Sequence, residues 1–245
     1  MKRFGLIGFP LTHSFSKKYF SSKFEKENIK DCAYENYEIP GIEQFTSILK
    51  NNPELIGLNV TIPYKQQVLP FLDILDVSAE FVGAVNVIKV GSDKKLKGYN
   101  SDYYGFLESL KRMLPENYNG IKALILGTGG AAKAVEGALK TLKIQYQYVS
   151  RQKTDILSYD QLSKEIIEDH KLIINTSPLG MFPKIDTCPD INYTFIGKGH
   201  FLFDLVYNPE ITLFMQKGMN QRATVKNGLE MLHLQAEEAW KIWNS

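Results

Sequence analysis

The sequence predicts an α/β protein with two domains, and three observations carry that prediction. Short apolar segments rich in β-branched and aromatic residues alternate with amphipathic stretches, a pattern typical of strand–helix–strand units around a mainly parallel sheet. The alternation occurs in two separate series, and the junction between them falls near Asn100. The length of 245 residues exceeds the roughly 150 residues of an average domain, so two modest domains fit the chain.

The first series begins with a strand at 3–8. A helix follows at 16–28, because Tyr19, Phe20 and Phe24 recur at helical spacing and form one apolar face. The series continues with predicted strands at 34–39 and 55–61, a helix at 41–50, and a hairpin-like pair of strands at 85–90 and 95–99. Crossovers combined with a hairpin predict a mixed, mainly parallel sheet.

The second series follows a predicted helix at 102–114 and a turn-rich segment at 115–120. It continues with predicted strands at 121–126, 145–150, 172–175 and 201–204 and a helix at 131–142. The last predicted helix, 229–243, has apolar residues at core-like spacing, and we expect it to pack on the first domain. The predicted domains are therefore 1–100 with 229–245, and 101–228.

The composition excludes several classes of protein. Apolar residues make up 44% and charged residues 23%, as in ordinary globular proteins, and the net charge of +2 argues against nucleic-acid binding. No apolar run reaches the about 18 residues of a membrane span. Cys32 and Cys188 match no metal or disulfide framework, and the histidines lack metal-site spacing. We expect a cytoplasmic protein with free thiols and no metal; an occasional structural disulfide is the alternative.

A glycine-rich turn lies between a strand and a helix of the second series. The segment Gly127-Thr128-Gly129-Gly130-Ala131-Ala132 follows an apolar strand directly and opens a helix, as a dinucleotide-binding turn requires. Gly127 permits the tight turn, Gly129 lets the backbone approach a pyrophosphate, and the helix amino terminus offers N–H groups to the phosphates. This context predicts a Rossmann-like, dinucleotide-binding domain; a merely tight strand-to-helix turn is the alternative.

The end of the next strand indicates which dinucleotide binds. A carboxylate there would bond the ribose 2′-hydroxyl of NAD, whereas an arginine would pair with the 2′-phosphate of NADP. The strand ends in Ser150-Arg151-Gln152-Lys153, and no Asp or Glu occupies 146–153. We therefore predict NADP, with a solvated surface arginine as the alternative for Arg151.

Three polar segments accompany the first series. They are Asn59-Val60-Thr61-Ile62-Pro63-Tyr64-Lys65, Gly83-Ala84-Val85-Asn86 and Asn100-Ser101-Asp102. The first is predicted to end a strand and start a helix, a place where side chains converge at the carboxyl edge of an α/β sheet. Because a redox cofactor supplies only the hydride, these segments are the candidates for substrate binding and proton transfer.

Six motifs, in order, resemble those of the shikimate dehydrogenase family and span nearly the whole chain. They are His13-Ser14-Phe15-Ser16, the three polar segments, Gly127-Thr128-Gly129-Gly130-Ala131, and Asn227-Gly228-Leu229 with Met231-Leu232 and Gln235-Ala236. The resemblance implies an NADP-dependent oxidoreductase that reversibly reduces 3-dehydroshikimate to shikimate in aromatic amino-acid biosynthesis. It also implies that 1–100 with 229–245 bind the substrate and that 101–228 bind the dinucleotide.

The resemblance also implies roles for the residues that match the motifs. Lys65 and Asp102 correspond to the catalytic pair. The substrate-binding residues are Ser14, Ser16, Thr61, Asn86, Tyr207 and Gln235. The cofactor-binding residues are Gly127, Thr128, Gly129, Gly130, Ala131, Ser150, Arg151, Leu205 and Gly228.

Elementary chemistry agrees with these roles. An ammonium such as Lys65 stabilises the negative charge that grows on a carbonyl oxygen during hydride transfer and can deliver a proton to it. Asp102 can orient that ammonium and accept a bond from a substrate hydroxyl. Each residue also has a structural alternative: the two serines as helix caps, Lys65 and Asp102 as solvated charges, Tyr207 as a core residue and Gln235 as an incidental polar residue.

Two rival functions stay open from the sequence. One is a quinate/shikimate dehydrogenase that uses NAD or NADP, and the other is a non-catalytic sensor, against which the proton-transfer pair argues. Three sites depart from the family pattern: Lys17 stands where proline is usual, Tyr103 stands where glycine usually follows the aspartate, and Ser150-Arg151-Gln152 replaces the usual Asn-Arg-Thr. We expect a small-molecule substrate, no nucleic-acid or membrane partner, and a monomer or homodimer.

Overall fold

The computed structural model describes residues 1–11, 14–151 and 156–245, and these form two compact units. The first unit comprises Met1–Ser101 with Gln235–Ser245, and the second comprises Asp102–Leu234. Both contain strands and helices arranged around a sheet, which confirms the predicted α/β class. None of the helices in these described ranges combines the length and apolar character needed to cross a bilayer.

The first unit contains a mixed sheet, as predicted. Its elements are β1 (Lys2–Gly8), α1 (Phe15–Lys26), β2 (Cys32–Glu38), α2 (Phe45–Asn51), β3 (Leu55–Val60), β4 (Ile74–Leu75), α3 (Val77–Val82), β5 (Val87–Val90) and β6 (Leu96–Tyr99). The strand order is β2-β1-β3-β5-β6-β4. The pairs β1–β2, β1–β3 and β4–β6 are parallel, whereas β3–β5 and β5–β6 are antiparallel.

The second unit contains a sheet whose described strands pair in parallel. Its elements are α4 (Ser101–Met113), β7 (Lys122–Leu126), α5 (Gly130–Thr141), β8 (Gln145–Ser150), β9 (Leu157–Ser158), α6 (Lys164–Asp169), β10 (Leu172–Asn175), β11 (Phe201–Asp204), α7 (Leu213–Asn220), β12 (Thr224–Lys226) and the start of α8 (Leu229–Asn244). The strand order is β12-β11-β10-β7-β8-β9. The chain runs outward from β7 to β8 and β9 on one side and then from β10 to β12 on the other, as in a Rossmann-like sheet. The segments after β7, β8, β10 and β11 therefore share one edge, where ligands of such sheets bind.

The last helix completes the core of the first unit, as predicted. Trp243 of α8 is buried against Phe4 of β1 with ring centroids 4.9 Å apart, and its Nε1 donates to the Ile88 carbonyl at 3.0 Å. Ala236 and Ala239 are fully buried in the same apolar cluster. The indole thereby satisfies its one donor while it contributes a large apolar surface.

The predicted helix after β3 is wrong. Residues 62–68 form consecutive turns, and a short 3₁₀ segment, Leu69–Phe71, follows them. The Tyr64 N–H donates to the Thr61 carbonyl at 2.9 Å, a turn bond rather than a helical one. Pro70 has no N–H to donate to the Gln66 carbonyl, so a helix cannot continue through this segment.

Candidate substrate and cofactor sites

The segment that carries Lys65 is fixed by backbone hydrogen bonds. The Thr61 N–H donates to the Ile7 carbonyl at 2.9 Å, and the Val85 N–H donates to the Lys65 carbonyl at 2.8 Å. Tyr64 is buried beside the lysine, and its hydroxyl donates to the Ile39 carbonyl at 2.6 Å. The lysine side chain starts from a rigid turn joined directly to the segment of Asn86, and it is partly exposed.

Asn86 and Gln235 meet the same serine although they are far apart in the sequence. The Ser101 N–H donates to Asn86 Oδ1 at 2.7 Å, and Asn86 Nδ2 donates to Ser101 Oγ at 3.0 Å. Ser101 Oγ in turn donates to Gln235 Oε1 at 3.4 Å. All three side chains are buried, so the Gln235 amide belongs to a hydrogen-bonded polar group in the interior of the first unit.

Ser14 and Ser16 lie at the start of α1. Ser14 is the helix cap, and its Oγ accepts from the Lys17 N–H at 3.2 Å, so the structural alternative holds for this residue. A hydroxyl that accepts one bond still has its own proton to donate, so capping does not preclude binding an anion. Ser16 is the second residue of α1 and is partly exposed. His13 of the same motif lies outside the described residues.

Two of the departures from the family pattern, Lys17 and Tyr103, have local partners. Lys17 forms an ion pair with Glu35 at 2.9 Å. Tyr103 packs against the core of the second unit, and its hydroxyl is 2.9 Å from Thr141 Oγ1. It follows Asp102, which lies in the first turn of α4.

The glycine turn presents open backbone at the amino terminus of α5. Gly127 has φ +116°, and a Cβ there would lie 2.8 Å from Thr176 Oγ1, so both its conformation and its surroundings require glycine. Gly129 caps the helix, and a Cβ at Gly129 or Gly130 would meet no described atom within 4 Å. Thr128, like both of these glycines, is exposed, whereas Ala131 is partly buried. Exposed N–H groups at the start of a twelve-residue helix fit a pyrophosphate.

Leu205, Tyr207 and Gly228 form a second group at the same edge of this sheet. The Leu205 N–H donates to the Asn175 carbonyl at 3.0 Å, and the Gly228 N–H donates to the Val206 carbonyl at 3.1 Å. A Cβ at Gly228 would lie only 2.1 Å from the Leu205 carbonyl oxygen, so no larger residue fits. Burial raises the pKa of Tyr207, which keeps its hydroxyl protonated and able to donate.

Ser150 ends β8, and the exposed Arg151 follows it. Burial raises the pKa of the nearby Tyr159, and the positive charge of Arg151 opposes that rise. Arg151 follows β8, the strand next to β7 in the sheet. A residue at this position recognises the 2′-phosphate in dinucleotide-binding sheets. Gln152 and Lys153 lie outside the described residues.

Sequence reasoning missed a buried carboxylate, Asp204, at the end of β11. It is fully buried, and it accepts from Asn175 Nδ2 at 2.9 Å, the Val206 N–H at 3.0 Å and Thr212 Oγ1 at 2.5 Å. Burial raises its pKa to about 6, although these three donors each lower it. The sequence did contain a signal for this residue, because Asp204 directly follows the apolar run Phe201-Leu202-Phe203.

No three His, Cys, Asp or Glu side chains of the described ranges group as metal ligands. The comparisons with known proteins point instead to dehydrogenases. The sequence profile of the shikimate dehydrogenase substrate binding domain matches residues 6–88. A shikimate dehydrogenase (NADP(+)) of Clostridium beijerinckii is 39% identical over an alignment 259 residues long, gaps included. The alignment covers 99% of this chain and 92% of the relative.

Solved structures give the same result. Shikimate 5-dehydrogenase of Thermus thermophilus, in complex with NADP(H) and shikimate, has a TM-score of 0.84 at 28% identity, covering 99% of this chain and 93% of that one. Quinate dehydrogenase of Corynebacterium glutamicum, in complex with NAD, has a TM-score of 0.87 at 23% identity, covering 99% of this chain and 93% of that one. At 23% identity, the similarity to quinate dehydrogenase shows only that the two chains share a fold.

The parallel sheet with its glycine turn, together with the polar site of the first unit, defines a dinucleotide-linked oxidoreductase. Identity to shikimate dehydrogenases over nearly the full length then decides the family within that class. The chain belongs to the shikimate dehydrogenase family, and the resemblance drawn from the six motifs is confirmed.

Proposed function

We propose that the chain interconverts 3-dehydroshikimate and shikimate with NADP, and that the residues predicted from its motifs perform the reaction. Family membership supports the activity and its place in aromatic amino-acid biosynthesis, and favours it over quinate oxidation. The observation that carries the assignment of roles is the Val85 N–H bond to the Lys65 carbonyl, which joins the predicted acid–base residue to the predicted ligand Asn86. Cytoplasmic location and a monomeric or dimeric state stay predictions.

The second unit would hold the cofactor. When bound, NADP supplies or accepts the hydride. Backbone N–H groups of the turn at 127–131 would bind its pyrophosphate, because α5 presents them uncovered. Arg151 would pair with the 2′-phosphate, and Ser150, Leu205 and Gly228 would line the rest of the site.

Lys65 would transfer the proton, and Asp102 would hold the substrate beside it. In the reduction, the Lys65 ammonium stabilises the charge growing on the carbonyl oxygen and gives that oxygen a proton; in the oxidation, the amine takes the proton back. The Asp102 carboxylate accepts a hydrogen bond from the neighbouring substrate hydroxyl and so fixes the ring. One positioned acid–base group contributes about 10²–10⁴ in rate.

Hydroxyl and amide side chains would hold the substrate. Ser14, Ser16 and Tyr207 would donate to its carboxylate, and charge-assisted O–H···O⁻ bonds give orientation without a cationic partner. Thr61, Asn86 and Gln235 would bind the ring hydroxyls. The amide groups of Asn86 and Gln235 are already oriented by Ser101, which reduces the entropy lost on binding.

The activity and the cofactor choice are tested together. Purified protein mixed with shikimate and NADP⁺ should develop the near-ultraviolet absorbance of reduced nicotinamide. Arg151→Ala should raise the KM for NADP about tenfold or more and change that for NAD little, because a charged hydrogen bond to the phosphate is lost. Arg222→Ala, at an exposed arginine of the same unit, is the matched control. An equal response of both cofactors would remove the phosphate role of Arg151.

A further inference from the structure

Two buried polar side chains, Asn175 and Asp204, face each other at the carboxyl ends of β10 and β11. The two residues are partners in the strand register, and Asn175 Nδ2 donates to Asp204 Oδ1 at 2.9 Å. Both residues are fully buried. Burial of a carboxylate costs free energy that an apolar residue of similar size would avoid, so packing of the sheet alone does not explain the pair.

The Asp204 carboxylate holds the chain that leaves β11. Its Oδ1 also accepts from the Val206 N–H at 3.0 Å, a bond to the backbone two residues ahead that forms a turn directly after the strand. Val206 lies between Leu205 and Tyr207, the proposed cofactor and substrate residues. The Val206 carbonyl in turn accepts from the Gly228 N–H at 3.1 Å. Both backbone polar groups of Val206 are therefore bonded, and they fix the path of the chain into Tyr207.

Asn175 forms the same kind of turn after β10. Its Oδ1 accepts from the Ser177 N–H at 3.1 Å and from Ser177 Oγ at 2.6 Å, so its Nδ2 is the group that faces Asp204. Between these two residues, Thr176 Oγ1 donates to the Leu126 carbonyl at 2.9 Å. The Asn175–Asp204 bond therefore joins the turn after β10, which contacts the end of β7, to the turn after β11.

A carboxylate suits this position because it only accepts hydrogen bonds. Three donors converge on Asp204: Asn175 Nδ2, the Val206 N–H and Thr212 Oγ1, the last at 2.5 Å. Asp204→Asn would still offer Oδ1 to the first two donors and would turn an N–H group toward Thr212. Asp204→Ala would remove every acceptor and leave the N–H of the buried Val206 unpaired. The two substitutions therefore separate the turn bond from the charge of the side chain.

We propose that Asp204 is a positioning residue for Tyr207 and that it acts through the Val206 N–H. This inference rests on the proposed function, because it takes Tyr207 as a ligand of the substrate carboxylate. Asp204 itself is fully buried and does not touch the substrate. It holds the turn after β11 in one conformation, so the Tyr207 hydroxyl meets the substrate without further ordering of the chain.

The test compares Asp204→Ala with Asp204→Asn at pH 8, where the carboxyl of the unmodified protein is ionised because its pKa is about 6. Asp204→Ala should raise the KM for shikimate about tenfold, the effect of leaving a buried N–H group unpaired, and keep kcat within about threefold. Asp204→Asn retains the turn bond and should stay within about twofold of the unmodified protein. The KM for NADP should change less than about twofold in both variants, because the glycine turn and Arg151 would still hold its phosphates.

Thr212→Val is the matched control for a loss of stability. The Thr212 hydroxyl bonds the same carboxylate, and it also accepts from the Met215 N–H at 3.3 Å as the cap of α7. Its removal leaves the bond between Asp204 and Val206 in place. Thr212→Val should therefore lower the free energy of unfolding in urea and leave every kinetic constant within about twofold.

A double variant tests the route through Tyr207. In the Tyr207→Phe background, which lacks the hydroxyl, Asp204→Ala should change the shikimate KM by less than about twofold. Asp204→Ser is the second variant if Asp204→Ala does not fold. A serine hydroxyl bonds the N–H two residues ahead more weakly than a carboxylate does, so the shikimate KM of Asp204→Ser should lie about threefold above that of Asp204→Asn.

Four results would overturn the inference. An unchanged shikimate KM in Asp204→Ala, or in Asp204→Ser where that variant is used, would remove the role while the proposed function stands. Equal increases in Asp204→Ala and Thr212→Val would show a structural role. Equal increases in Asp204→Ala and Asp204→Asn would show that the charge matters and the turn bond does not, and additivity with Tyr207→Phe would show a different route. An unmodified protein inactive on shikimate would instead overturn the proposed function and this inference with it.

Discussion

The two units prepare their binding groups in opposite ways. In the first, buried side chains such as Asn86, Ser101 and Gln235 hold one another by hydrogen bonds. In the second, the groups offered to the ligand are backbone N–H groups of an exposed glycine turn. Side-chain networks distinguish one small molecule from another, whereas a backbone turn recognises the phosphates that all dinucleotides share.

This difference decides where substitutions act. In the first unit a conservative side-chain change should alter substrate handling and leave the fold in place. In the second unit, binding of the dinucleotide depends on the open space beside the backbone of the glycine turn. The addition of a single methyl group to that turn should therefore alter cofactor binding most. Three experiments test this contrast.

The largest effect is expected at Lys65. Lys65→Met should lower kcat by about 10²–10⁴, because the developing oxyanion loses its proton donor, and should leave the shikimate KM within severalfold. Steady-state kinetics with both substrates measure this. Lys95→Met is the control, since that lysine forms an exposed ion pair with Asp93 in the same unit. A loss confined to KM would reassign Lys65 to substrate binding.

Asp204 tests whether the second unit also depends on a buried side chain. Because burial raises its pKa from 3.8 to about 6, the carboxyl contributes stability below pH 4 that is lost as the pH rises through 6. That pKa difference corresponds to about 3 kcal/mol. The free energy of unfolding of the unmodified protein, relative to Asp204→Asn, should therefore fall by about 2.5 kcal/mol between pH 4 and 8, because part of the loss has already occurred at pH 4.

Urea unfolding at a series of pH values measures this difference. Asp169→Asn provides a control of opposite sign, because the hydrogen bond from Lys122 lowers the pKa of Asp169 and its contribution is lost as the pH falls. A constant difference between the unmodified protein and Asp204→Asn at all pH values would contradict the prediction.

The smallest expected effect is a difference in unfolding free energy between alanine substitutions at two glycines of the same turn. Gly127→Ala should cost about 1–2 kcal/mol of unfolding free energy, because alanine is strained at φ +116° and its Cβ would crowd Thr176. Gly129→Ala should change stability by less than about 0.5 kcal/mol, since its Cβ meets no described atom within 4 Å. Gly129→Ala should nevertheless raise the KM for NADP, because the methyl group would stand where the pyrophosphate approaches. Equal destabilisation by both variants would contradict this account.

Local sequence patterns predicted three strands of the second unit most closely. The bounds of β8, β10 and β11 coincide with the predicted strands. β10 and β11 are buried and almost wholly apolar, as parallel strands often are, whereas β8 alternates exposed Gln with partly buried Tyr. The same patterns did not indicate β9, α6, α7 and β12 of the second unit, or β4 and α3 of the first. A strand of two residues has no period, and the exposed Val77 and Phe81 obscure the apolar face of a short helix.

The site was predictable as a set of residues but not as an arrangement. The motifs indicated Lys65, Asn86 and Gln235, yet nothing local indicates that Asn86 and Gln235 share Ser101. Tyr34 and Asn59 are 25 positions apart and meet because β2 and β3 flank β1 in the sheet. Such contacts depend on strand order and register, which a side-chain pattern along one segment does not contain.

The path of the chain has a consequence for its synthesis. The second unit is contiguous, Asp102–Leu234, whereas the first recruits Gln235–Ser245 to its core. The amino-terminal sheet therefore cannot complete its core until residues 235–245 have been made. The part of the protein that is made first is thus the last to be completed.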